Sequence, residues 1–292
     1  GYYCLVDIYI KCRLRVHFAN KPCHINSKKK NALNGINLEI KKGKVNGIIG
    51  RSGSGKTTLA ELINALIIPN VGNIKIDDFI IKKGKKIANI NTLRVNIGLI
   101  FQFPEEQFFN LKVKDEIKFG MQSFGVKISE IDKRCKDALK MVGLDEEYLE
   151  KNPFKLSNGE MRKVAIASVL AYNPKVIILD EPTIGLDSFS KKNLVSLIRR
   201  LKTRYHKTVI VITHDVDLLH QIGDYIFVLD KGKLVLEGNK YDVFTNDKFY
   251  DYGLVPPKII EFEKLVKSKK NIKLGYRDDI NDLIKDIYRY AK

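Results

Sequence analysis

The stretch Gly50 to Thr58, GRSGSGKTT, constrains this chain more than any other. It follows the apolar run VNGII and precedes LAELINALI, whose apolar residues recur at helical spacing. Strand, glycine-rich turn and helix in that order are the context that the pattern GxxxxGK[ST] requires. Gly50, Gly53 and Gly55 free the backbone to curl, so that its N–H groups, with those of Arg51, Ser52 and Ser54, can surround a phosphate. The helix that follows adds its positive end. Lys56 supplies a point charge to the β and γ phosphates of a nucleotide, the Thr57 hydroxyl can ligate Mg²⁺, and Thr58 completes the nucleotide-binding set.

Two further strand ends carry chemistry that fits such a loop. KVIILDEP is a short β-branched run, as expected for a parallel strand buried on both faces, and it closes on Asp180-Glu181. A carboxylate at a strand end opposite a phosphate loop is where Mg²⁺ is held, a role that suits Asp180. Glu181, one residue on, is then positioned to polarise an attacking water as general base. TVIVITHD ends on His214, which can reach a γ-phosphate. LRVNIGLIFQ reads as another strand and ends on Gln102, a candidate for coordinating Mg²⁺ or the water. YIFVLDKGKLVLEG adds more strand, and residues 111–171 turn helical, with EIDKRCKDALKMVGL the clearest amphipathic piece.

The phosphate loop, Gln102, LSNGE, VIILDEPTIGLD and VITHD stand in the order of an ABC-type ATPase, and the chain resembles that family over about residues 18–240. The resemblance implies an α/β P-loop NTPase of ABC type. Its mixed, mostly parallel sheet core would carry an antiparallel β subdomain, a helical signature subdomain over about 104–171 and a C-terminal helical extension. The expected division is an ATP-binding domain over 1–245 and an extension over 246–292. The resemblance also implies ATP and Mg²⁺ as cofactors. Ser157, Asn158, Gly159 and Glu160 would face the γ-phosphate of ATP held by a partner subunit. Asp187 would line the seam between the two subunits, and an aromatic ahead of the first strands, Phe18 or the nearby His17, would stack on adenine.

FQFPEEQFF, LSNGEMRKVAIASVLA and DEPTIGLD narrow the resemblance to the ATPases of energy-coupling factor (ECF) transporters, in particular to the second of their two paired ATPases. The implied function is ATP hydrolysis coupled to uptake of a vitamin or other micronutrient. The implied partners are a second ABC-type ATPase, a transmembrane coupling subunit and a substrate-binding membrane subunit, on the cytoplasmic side of the cell membrane. A cobalt or nickel importer ATPase is the nearest alternative. Phe103, Phe108 and Phe109 suit either a groove for a partner's coupling helix or the core of the helical segment. Asn158 and Glu160 depart from the glycine and glutamine of the family pattern, and a carboxylate at position 160 would repel a triphosphate. The half-site is therefore expected to be working but detuned.

Bulk properties exclude less. The formal net charge is +18, which admits nucleic acid or an anionic membrane face as partners. The charge is dispersed, however, and its densest runs, Lys28-Lys29-Lys30 and KKGKK at 82–86, sit in segments that read as solvated loops. A nucleic-acid-associated ABC protein would carry two cassettes or a long coiled coil between Gly55 and Leu156, and neither pattern is present. A regulator that no longer hydrolyses is opposed by Lys56, Asp180, Glu181 and His214 together. Cys4, Cys12, Cys23 and Cys135 lack the spacing of a zinc site and read as reduced thiols. The N-terminus has no basic start followed by an apolar block, so it is a poor signal peptide, and it lacks an initiator Met.

Overall fold

The computed structural model describes residues 8–15, 31–87, 89–270, 275–277 and 280–290. In chain order, β1 (Ile8–Arg15), β2 (Asn31–Ile40) and β3 (Val45–Ile49) precede helix α1 (Lys56–Ile63). Next come β4 (Val71–Ile76), β5 (Phe79–Ile81), α2 (Ile90–Asn96) and β6 (Ile97–Ile100). The helical stretch holds α3 (Val113–Ser123), α4 (Ile128–Val142) and α5 (Asn158–Leu170). Then β7 (Val176–Asp180), α6 (Ser188–Thr203), β8 (Thr208–Thr213) and α7 (Val216–Ile222) lead to the hairpin β9 (Tyr225–Asp230) and β10 (Lys233–Asn239). Helices α8 (Lys240–Thr245), α9 (Lys248–Asp251), α10 (Lys258–Lys270) and α11 (Ile280–Tyr290) follow.

The main sheet has the order β10-β9-β3-β8-β7-β6, with β9, β3, β8, β7 and β6 parallel and β10 antiparallel at one edge. A second sheet, β2-β1-β4-β5, is antiparallel throughout. The apolar runs of β7 and β8 are continuous because both of their faces are covered. Ile178, Ile210 and Ile212 join the cluster built with α1 and the antiparallel sheet. Their neighbours Ile177, Leu179, Val209 and Val211 join the cluster built with the helical stretch and α6. A side-chain period of two thus sends alternate residues into two cores. Ile260 of α10 and Leu283 of α11 also belong to the second of these cores, so the C-terminal helices pack on the body of the chain.

One reading from the sequence needs correction. LRVNIGLIFQ is not all strand: residues to Asn96 finish α2, and only Ile97–Ile100 pair with β7. Ile90 and Leu93 lie three apart and pack into the core on one helical face, a spacing that runs without punctuation into the strand. The three phenylalanines after Gln102 are not equally exposed. Phe103 is half-buried beside the Arg162 guanidinium, Phe108 packs against the core, and Phe109 is exposed, edge-on to Phe119.

Candidate nucleotide site

Parallel strands deliver the candidate residues to one edge. The phosphate loop leaves the carboxyl end of β3, Gln102 that of β6, Asp180-Glu181 that of β7 and His214 that of β8. Ligands of open α/β sheets bind outside such ends. The loop's shape needs its glycines. A Cβ on Gly50 would lie 2.2 Å from the Leu229 carbonyl oxygen. Gly55, the N-cap of α1, has φ +102°, and a Cβ there would lie 2.7 Å from the Ala32 carbonyl oxygen. Only a residue without Cβ holds that conformation freely against a backbone neighbour.

Lys56 is buried and folds back over the loop, its Nζ donating to Gly50 O at 2.7 Å and to Arg51 O at 3.0 Å. Burial pushes its ammonium below the ordinary value, while the charges of Glu181 and Asp180 pull it back up. Asp180 is also buried. Desolvation raises its pKa, and the facing Thr57 hydroxyl works against that rise. Asp180 Oδ1 has no hydrogen-bond partner among the described residues, nor has the buried Ser54 Oγ. A buried carboxylate oxygen without a partner, close to a threonine hydroxyl, is a donor set that a hard divalent cation takes. Thr57 and Asp180 therefore fit Mg²⁺. Gln102 is exposed just beyond the strand that pairs with β7.

Glu181 sits in the left-handed region at φ 46°, with its N–H donating to Ile212 O at 2.7 Å. A non-glycine residue held there stores about 1–2 kcal/mol of strain, a pattern that clusters at functional sites. Its carboxylate accepts from the Thr213 hydroxyl at 3.0 Å and meets His214 Nδ1 at 2.9 Å. If Nδ1 donates to the carboxylate, a neutral ring keeps Nε2 as an acceptor only. For Nε2 to donate to a phosphate, the imidazole must carry a second proton or release Glu181.

Ser157 caps α5, its hydroxyl accepting the Glu160 N–H, and the Glu160 carboxylate accepts the Ser157 N–H in return. Gly159 and Asn158 lie in the first turn, with Gly159 close to Ser190 of α6. Asp187 caps α6 by accepting the Ser190 N–H at 2.7 Å, an interaction that lowers its pKa. Phe18 and His17, the candidates for stacking on a base, lie outside the described residues, as do Lys28-Lys29-Lys30.

Arg162, next to the signature stretch, had no separate signal in the sequence. It makes a bidentate pair with Glu105 at 2.7 and 2.8 Å, and donates to the carbonyls of Pro182 and Ile184. One buried guanidinium thus ties α5 to the turn after Gln102 and to the loop after Glu181. Arg162→Met leaves Glu105 without its cation and two carbonyls without a donor. The expected loss is about 3–5 kcal/mol of folding stability, read from chemical denaturation. A midpoint equal to the parent's would refute this tie.

A glycine-rich loop and a carboxylate pair at the carboxyl edge of a parallel sheet define a P-loop nucleotide hydrolase. The family model described as ABC transporter matches residues 33–184, and the chain belongs to that family. Its relatives narrow the placement. It is 40% identical over 239 residues to the energy-coupling factor transporter ATP-binding protein EcfA2 of Streptococcus agalactiae, covering 82% of this chain and 85% of that one. It is 38% identical over 245 residues to EcfA2 of Bacillus subtilis, covering 84% of this chain and 89% of that one. Among solved structures, CbiO1 from Clostridium perfringens, part of the ABC transporter complex CbiONQ, matches with TM-score 0.70 and 32% identity over 90% of this chain and 94% of that one. The ATP-binding cassette MJ0796, a dimer bound to ADP and Pi in a post-hydrolysis state, matches with TM-score 0.68 and 28% identity over 80% of this chain and 98% of that one.

Proposed function

We propose that this chain binds and hydrolyses Mg-ATP as one half of a two-cassette pair, and that the pair drives an energy-coupling factor transporter that takes up a vitamin or other micronutrient. The observation that carries the reading is the convergence of Lys56, Asp180, Glu181 and His214 on one sheet edge. The likeness to EcfA2 proteins supports the transporter type. Residues 1–245 form the ATP-binding domain in this reading, and 246–292 an extension.

Each residue has a distinct task. The loop amides and Lys56 bind and orient the β and γ phosphates, releasing the Gly50 and Arg51 carbonyls as the nucleotide enters. Asp180 and Thr57, with Gln102 completing the set, would hold Mg²⁺, which when bound supplies charge neutralisation to the phosphates. Glu181 takes the proton of the attacking water, with Thr213 and His214 fixing its carboxylate. His214 then turns to the γ-phosphate. One set of motifs makes half of a sandwich, so Ser157 and Gly159 address the ATP held by a second ATPase, across a seam lined by Asp187. That partner, a transmembrane coupling subunit and a substrate-binding membrane subunit complete the assembly, on the cytoplasmic side of the cell membrane. Among the described residues no helix is long and apolar enough to cross a membrane.

Affinity capture of the solubilised native complex is expected to bring a second, similar ATPase and membrane subunits. Recovery of ribosomes or DNA in their place would overturn the transporter reading. The substrate-binding subunit recovered would also separate vitamin uptake from cobalt or nickel uptake.

A further inference from the structure

The capping box of α5 is occupied more heavily than a helix start requires. Glu160 Oε2 accepts the Ser157 N–H at 2.9 Å and the Ser157 hydroxyl at 2.7 Å. Its other oxygen accepts the hydroxyl of Tyr148, which stands on the short 3-10 turn Glu146–Glu150 between α4 and α5. The Lys151 ammonium lies 3.6 Å from the centre of the Tyr148 ring and adds a compensating charge. With donors on both oxygens, the Tyr148 hydroxyl first among them, the Glu160 carboxyl is held down to about 2, so it is fully ionised at neutral pH.

Two consequences follow for a phosphate arriving from a partner subunit. The Ser157 hydroxyl has one proton, and it is already given to Glu160. A triphosphate must therefore compete with a carboxylate for that proton. The carboxylate is itself repulsive to the triphosphate unless it is kept turned back towards the cap. Tyr148 and the cap hold it from opposite sides.

We propose that Tyr148 is a positioning residue for the trans half-site: its hydroxyl anchors Glu160 against the α5 cap, and this anchoring sets how readily Ser157 is released to the γ-phosphate of the partner's ATP. The proposal rests on the paired-cassette reading given above. Glu160 in place of a neutral amide then makes the half-site a latch, opened by exchange of one proton donor between a carboxylate and a phosphate.

The test is ATP hydrolysis by the purified complex, comparing parent, Tyr148→Phe, Glu160→Gln and the double variant. Tyr148→Phe keeps the ring and its contact with Lys151 but drops one donor. The freed carboxylate is expected to raise KM for ATP by roughly 3- to 10-fold with kcat within about 2-fold of the parent. Glu160→Gln is expected to hydrolyse at least as fast as the parent, because the repelling charge is gone. In that background Tyr148→Phe should change KM by less than about 2-fold, because no carboxylate remains to restrain. An equal rise in both backgrounds would reduce Tyr148 to a structural contact and overturn the proposal, as would an unchanged KM in the single variant. Should Tyr148→Phe fail to assemble, Lys151→Met serves instead, with a KM rise abolished by Glu160→Gln supporting the latch and a flat response sinking it. A parent complex without ATPase activity would instead count against the paired-cassette reading itself.

Discussion

Glu181→Gln is expected to leave ATP binding intact while steady-state hydrolysis falls by about 10²–10⁴-fold, the usual worth of a positioned general base. The substitution is nearly isosteric and can keep an oxygen at the Oε2 position, which the Thr213 hydroxyl and His214 Nδ1 both reach at 3.0 Å. What it removes is the ability to accept a proton. The left-handed backbone at residue 181 and the N–H donated to Ile212 are properties of the chain path, so the amide occupies the place the carboxylate held. The phosphate loop is separate from this change. Removing one of the two negative charges near Lys56 also lessens repulsion of a triphosphate, so affinity should hold or rise. Phosphate release and equilibrium nucleotide titration read the two halves of the expectation. Unchanged turnover would remove the general-base assignment, and lost binding with lost turnover would make Glu181 a structural residue of the β7 end.

The parts of this site that could be read from the sequence are those written within a few residues of one another. The phosphate loop carries its chemistry, its glycines and its flanking strand and helix in one stretch, and the loop folds as those residues require. The Asp180-Glu181 and His214 strand ends were legible because a strand buried on both faces must be apolar until it leaves the core. Pairing across distance was not legible. Arg162 and Glu105 meet from 57 positions apart, and neither the arginine after a signature stretch nor the glutamate in a polar turn announces the other. The Tyr148–Glu160 contact depends on how the 3-10 turn folds against the first turn of α5, which no periodicity encodes. Where two periodicities abut without a break, as from Leu93 to Ile100, the boundary between helix and strand was lost as well.

Lys56→Ala is expected to weaken ATP binding by at least about 30-fold, roughly 2 kcal/mol, the low end for losing one partner of a buried charged contact. The side chain is already inside the loop, its ammonium donating to the Gly50 and Arg51 carbonyls. Alanine deletes a cation that faces the carboxylates of Asp180 and Glu181, so the site becomes more anionic just where a triphosphate must enter. It also leaves the Gly50 carbonyl without that donor, which favours a collapsed loop over an open one. Arginine is not a substitute: its planar guanidinium needs more room than a lysine ammonium threading between two carbonyls. Lys56→Arg should therefore lose affinity too, despite keeping the charge. Equilibrium titration with a fluorescent ATP analogue reads both variants, with circular dichroism checking that each remains folded. Parent-like affinity in Lys56→Ala would contradict the phosphate-loop assignment. Parent-like affinity in Lys56→Arg alone would show that charge, not the fit of the ammonium to this loop, is what the nucleotide reads.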